Sequence, residues 1–228
     1  MVMRPAYLNE AEHRLVTDAV AAAEAQTAGE IVTVLADRSD GYADIALAWS
    51  ALAAFTALTV IALLPGFYLG ILDRVTGNWN AEWSAGAIFG IAASVGILKF
   101  LAMWAIQFWR PLKYLLIPSP VKTRRVRARA IDLFKVGAER RTHGRTGVLI
   151  YLSMREHRAE IVADEAIAHK VSPEVWAEAM AAMIAEVRDG RVAEGMAAAV
   201  AAVGTVLAEH FPRHEADINE LPDRLIEL

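Results

Sequence analysis

The 228-residue chain has no cysteine. That excludes disulfides, zinc–thiolate centres and cysteine nucleophiles. It also lacks a basic excess. Lys and Arg number 23 against 27 Asp and Glu, and the net charge of -4 argues against a general nucleic-acid binder. No phosphate-binding glycine loop, no Gly-x-Ser-x-Gly elbow and no His-Glu-x-x-His pair occurs. Met1–Asn9 carries no apolar run, so a cleavable signal peptide is not expected. The most informative absence is that of charge in the middle of the chain. Ile45–Leu72 has no charged side chain, and Trp83–Trp109 has only Lys99.

The first of these stretches is about 28 residues, roughly 42 Å of helix, and the second is nearly as long. Either exceeds the ~30 Å of a bilayer's hydrocarbon core, and buried core helices rarely stay uncharged for that length. The polar turn Asp73–Glu82 joins them, so residues 45–109 read as a transmembrane helical hairpin. The first span is expected to serve as the insertion signal. Trp49, Trp79, Trp83 and Trp109 fall near the expected interfaces, where amphipathic rings settle. After the second span come Arg110, Lys113, Lys122, Arg124, Arg125, Arg127 and Arg129, with no acid before Asp132. The positive-inside rule then places both termini in the cytoplasm, in the inner membrane of a cell. Arg124, Arg125, Arg127 and Arg129, beside a span, are expected to meet anionic lipid head groups. Lys99 reads as a snorkelling or oligomer-pairing cation. The functional alternative is an ion pathway, which one pair of spans encloses only as a homo-oligomer.

Roughly 160 residues remain, enough for one soluble domain, and the hairpin interrupts it. Asn9 with Glu12 gives a capping-box pattern for a helix from Glu10 to about Gln26, with Leu15, Val16, Ala19, Val20 and Ala23 on its buried stripe. Glu30–Leu35 reads as a strand. Beyond the hairpin, Pro118-Ser119-Pro120 marks a bend. A basic helix is predicted from about Val121 to Arg141, a central strand at Gly147–Ser153 and a partner strand at Arg158–Ala163. Helices from Pro173 to about Asp189 and from Val192 to about Phe211 complete the set. The strand–crossover–strand order predicts a parallel pair, and the tight connection after Ser153 predicts an antiparallel one. The expected organisation is 1–44 as the first part of the domain, 45–109 as the hairpin, 110–212 as the second part and 213–228 as a loosely ordered polar tail, with a short helix from Pro222.

Thr146-Gly147-Val148-Leu149-Ile150-Tyr151, followed by Arg158-Ala159-Glu160-Ile161-Val162-Ala163-Asp164, resembles the TPM domain family. The similarity extends to Glu30–Ala36, to Ala130–Phe134, to Gly195 and to His210-Phe211-Pro212. The resemblance implies a small three-layer α/β/α sandwich, here interrupted by the two-helix hairpin. The roles it implies are scattered among photosystem repair, receptor modulation and weak acid phosphatase activity, and some members bind divalent cations through acidic loops. Members often end the third strand in a Gly-x-Gly turn, and this chain has Ala163-Asp164-Glu165 there.

Two acidic pairs follow strands: Asp37 and Asp40 after the first, Asp164 and Glu165 after the third. Brought together, they would offer oxygen ligands to Ca2+ or Mg2+. His210 and His214 have helical metal spacing, but Pro212 breaks the helix between them. The leading reading is a non-enzymatic membrane scaffold or assembly factor whose TPM-like domain binds partner proteins. The resemblance makes LemA-type membrane proteins the expected partners. The alternatives are a divalent-metal-dependent phosphatase using the four acids and an oligomeric transport component using Lys99.

Overall fold

A computed structural model describes residues 7–77, 83–137, 146–213 and 223–228. In chain order the elements are α1 (Glu10–Glu24), β1 (Glu30–Ala36), α2 (Ala43–Leu63), α3 (Pro65–Thr76), α4 (Ala85–Ile106), α5 (Arg110–Leu116), α6 (Ser119–Gly137), β2 (Gly147–Ser153), β3 (Arg158–Ala163), α7 (Glu165–Ala168), α8 (Pro173–Arg188), α9 (Val192–His210) and β4 (Ile226–Glu227). They form two units. One comprises residues 1–40 and 119–228, and the other residues 41–118.

The first unit is an α/β/α sandwich on a four-stranded sheet of order β3-β2-β1-β4. β1 and β2 pair in parallel, from Glu30 opposite Gly147 to Ala36 opposite Ser153, and β2 pairs antiparallel with β3. Both central strands are buried throughout, so their near-continuous apolar sequence feeds two cores at once. Ile31, Leu35, Val148, Ile150 and Leu152 face α1, α8 and α9. Val32, Val34, Leu149 and Tyr151 face α6 through Val126, Ala130 and Phe134.

The capping box forms as its residues predict. The Asn9 side chain accepts from the Ala11 and Glu12 amides, and Glu12 accepts from the Asn9 amide. Val16, Val20 and Glu24 make the buried stripe of α1, while Leu15 is exposed. α1 crosses α9 closely at Gly204, where a Cβ would lie 2.6 Å from that of Ala23.

The end of the chain departs from expectation. Residues 223–228 form no helix and no loose tail. Ile226 and Glu227 pair in parallel with Val34 and Leu35, Leu225 enters the main core, and the Asp37 amide donates to the Leu228 carbonyl at 2.9 Å. Sequence patterning hides this strand because it is two residues long. The predicted end of the basic helix at residues 138–141, the turn at 142–145 and residues 214–222, including His214, lie outside the described residues.

In the second unit, α2 and α4 pack as an antiparallel pair over Ala46, Ser50 and Gly96. A Cβ at Gly96 would lie 3.3 Å from Leu58, so the glycine sets the close approach. The long first apolar stretch is two helices rather than one. α2 ends at Leu63, and Pro65 opens α3, because proline fits the first helical turn and not the interior. The second stretch is helical from Ala85 to Ile106, and a short helix, α5, follows. Trp49 donates its indole N–H to the Leu116 carbonyl at 3.0 Å, and the Gln107 amide nitrogen donates to that of Ala46 at 3.0 Å, tying the ends together.

Among the described residues, three helices are long and apolar enough to cross a membrane: α2, α4 and α9. In their most apolar windows 17%, 6% and 44% of residues are buried inside the structure, so α9 is a core helix of the sandwich and α2 and α4 keep bare apolar surfaces. At 21 and 22 residues they measure roughly 31–33 Å, the span of a hydrocarbon core.

Candidate functional site

Because β1 and β2 are parallel, their carboxyl ends finish side by side, at Ala36 and Ser153. This is the place where open α/β sheets commonly bind ligands. Two loops meet there. The Met154 amide donates to the Ala36 carbonyl at 2.9 Å, and the Arg155 amide to that of Asp37 at 3.1 Å.

Glu156, only 2% exposed, is the pivot of the cluster. It accepts from the Ser39 amide at 2.9 Å and from the Ser153 hydroxyl. Ser39 also shares a hydrogen bond of 3.0 Å with the Tyr151 hydroxyl. Burial pushes the Tyr151 phenol above its ordinary range, with the Ser39 bond opposing. Burial, and then the nearby Arg158, lowers the Lys122 ammonium. The candidate acids at this end are committed to cations and donors. Asp37 pairs with Arg155 at 2.8 Å and accepts from the Tyr7 hydroxyl, while Asp40 pairs with Arg125 at 3.1 Å.

The other candidate acids stand at the opposite end of the sheet. Asp164 follows β3, whose direction reverses that of β2, so it meets the start of β2. It accepts from the Gly147 amide at 3.1 Å and returns its own amide to the Gly147 carbonyl at 2.9 Å. Glu165 lies in solvent beside His169, 3.6 Å away. Seven-residue strands separate the two pairs by roughly 20 Å, so the four acids do not form one site. A Ca2+ or Mg2+ ion at Asp37 or Asp40 would compete with the Arg155 and Arg125 guanidinium groups. Among the described residues, no three acidic or histidine side chains gather in a metal-binding cluster.

Of the arginines expected at lipid head groups, Arg124, Arg127 and Arg129 are exposed on α6, whereas Arg125 turns to Asp40. Lys99 is exposed on α4, seven residues or about 10 Å from that helix's end. Trp83 donates to Asp73 at 2.9 Å, and Trp109 is exposed before α5.

The sequence reading missed Glu156 and a second acidic site at the start of β1. There Glu24, Glu30, Asp223 and Arg213 line a small pocket of about 90 Å³ with Ala21, Ala25 and Thr27. Burial raises the Glu24 carboxyl to about 8. Its position was legible, since residue 24 continues the i, i+4 stripe of Val16 and Val20. Glu156 carried no such signal, being one polar residue in a polar hairpin turn.

Glu156→Ala should leave the buried Ser153 hydroxyl and the Ser39 amide without their acceptor. The expected cost is about 1–3 kcal/mol, read as a fall of several degrees in the Tm of the purified protein. An unchanged Tm would show that water takes over both bonds.

The sandwich, with its interrupted crossover and its Gly-Val-Leu strand followed by a hairpin, belongs to a recognisable class of small α/β/α domains. The sequence model of the TPM domain matches residues 116–206. The matched segment holds α6, β2, β3, α7, α8 and most of α9, and residues 7–40 complete the same sheet from the far side of the hairpin. The NMR structure of the BA42 protein from the psychrophilic bacterium Bizionia argentinensis has the same fold. It superposes with a TM-score of 0.57 at 19% identity, covering 100% of each chain. No curated protein matches the chain.

Proposed function

We propose that this is a multi-pass inner-membrane protein, anchored by α2 and α4 with both termini in the cytoplasm, whose TPM domain binds partner proteins as a non-enzymatic scaffold or assembly factor. One observation carries the reading. The acids that would serve a metal-dependent phosphatase are split between the two ends of the sheet, with Asp37 and Asp40 engaged by Arg155 and Arg125 and Asp164 by the Gly147 amide. The exposed Arg124, Arg127 and Arg129 follow a hydrophobic hairpin in sequence and suit anionic lipid head groups. LemA-type membrane proteins are the partners that the family resemblance suggests.

Cross-linking in native membranes, followed by affinity purification, should enrich a membrane protein with the full chain. A reporter fused after Leu228 should face the cytoplasm, and one inserted after Gly77 the opposite side. Hydrolysis of a generic phosphomonoester with Mg2+ or Ca2+, abolished by Asp37→Asn, would overturn the non-enzymatic reading. A C-terminal reporter outside the cytoplasm would overturn the topology.

A further inference from the structure

The outer edge of β1 is closed by two devices. Near its start the Glu24 carboxylate oxygen accepts the Ile31 amide at 2.8 Å. Near its end β4 takes over, with the Leu228 amide donating to the Leu35 carbonyl at 2.9 Å. The same edge segment, residues 223–228, touches α1 through two titratable contacts. Asp223 is hydrogen-bonded side chain to side chain with Glu24. Glu227 lies 3.3 Å from the His13 imidazole and also accepts the Leu8 amide at 3.1 Å. Two carboxyl groups share a hydrogen bond only when one of them holds a proton. The imidazole forms an ion pair with Glu227 only when protonated.

We propose that residues 223–228 are a proton-dependent latch on the edge of β1, held down when Glu24 shares its proton with Asp223 and loosened when that proton is lost. Charge in the pocket explains the direction. Glu30 from β1 and Asp223 from the latch line it with Glu24, opposed by Arg213 beyond α9. Ionising Glu24 there puts three carboxylates around one small pocket against one guanidinium.

With the latch docked Glu24 stands at about 8, against an ordinary 4.5, chiefly through burial, with Glu30 and then Asp223 adding to the rise. Undocking removes the Asp223 share of that rise, so the closed latch binds more protons than the open one over a window that ends at about 8. Its closure is strongest below the window, weakens by up to about tenfold per pH unit within it and levels off above it. Release would uncover the β1 edge, which offers backbone donors and acceptors to an extended chain segment.

The test is hydrogen exchange on the full-length protein in detergent from pH 5 to 9, expressed as protection factors so that intrinsic exchange cancels. Protection of the Leu228 and Asp37 amides should fall as pH rises to about 8 and then level, while β2 amides stay protected. Glu24→Gln keeps a neutral group at the same place and should flatten the profile. Asp223→Asn removes one carboxylate and should flatten it on a separate element, and His13→Gln should leave most of the slope. A flat wild-type profile, or one whose slope survives both Glu24→Gln and Asp223→Asn, would overturn the proposal. Parallel loss of β2 protection would overturn it as well, since the whole domain would then be opening.

Discussion

Val32→Asp should abolish the folded α/β/α sandwich while leaving the α2–α4 hairpin helical. Val32 is 7% exposed on the sheet face that packs on α6, opposite Leu149 and against Val126, Ala130 and Phe134. A carboxylate introduced there is either ionised in an apolar layer or protonated with an unmet hydroxyl. The cost is about 3–5 kcal/mol or more, set against a typical domain stability of ~5–15. Val32→Ala removes two methyl groups and should cost only roughly 1–3 kcal/mol. Near-UV circular dichroism on the detergent-solubilised protein separates the outcomes. The aspartate variant should lack the cooperative transition, and the alanine variant should keep it at lower temperature. A wild-type transition in the aspartate variant would mean that β1 is not buried in the sheet.

Deleting residues 1–40 should leave residues 119–228 unable to fold. β1 stands between β2 and β4, so its removal strips both strands of a neighbour and leaves a single antiparallel pair, marginal by itself. α1 goes with it, opening the closely packed face of α9 at Gly204. Adding residues 1–40 back as a separate chain should restore amide protection in β2 by supplying the missing strand. A cooperatively melting fragment 119–228 on its own would show that the second part is a domain in itself.

What the sequence disclosed follows from how each element signals. Gly147–Ser153 and Arg158–Ala163 match the observed strands to the residue, because a fully apolar run and a half-buried partner bounded by polar turns leave little choice. The parallel pairing of β1 with β2 followed from the intervening crossover, and the α1 start from Asn9 and Glu12. The helix break at Pro65 was written in the sequence but outvoted by the uncharged run around it. Nothing local marks β4, whose two residues are held by contacts from Val34, Leu35 and His13, far away in the chain. The candidate site fared worst for a topological reason. Asp37 and Asp164 both follow strands, yet β3 runs antiparallel to β2, so following a strand means opposite ends of the sheet.

The insertion of the hairpin between β1 and β2 also sets a clock on biosynthesis. β1 leaves the ribosome with α1 to cover one face, but its neighbour β2 and the α6 layer lie beyond the hairpin. Residues 37–146 must be made first, roughly 5–20 s of elongation at ~5–20 residues per second. For that interval Glu30–Ala36, a strand buried along its whole length in the finished protein, lacks both the neighbour and the layer that cover it. An exposed apolar strand of this kind is open to wrong pairing during that interval. Slower synthesis of the hairpin lengthens the exposure, and variants that delay it should aggregate through β1 even when the finished fold is unchanged.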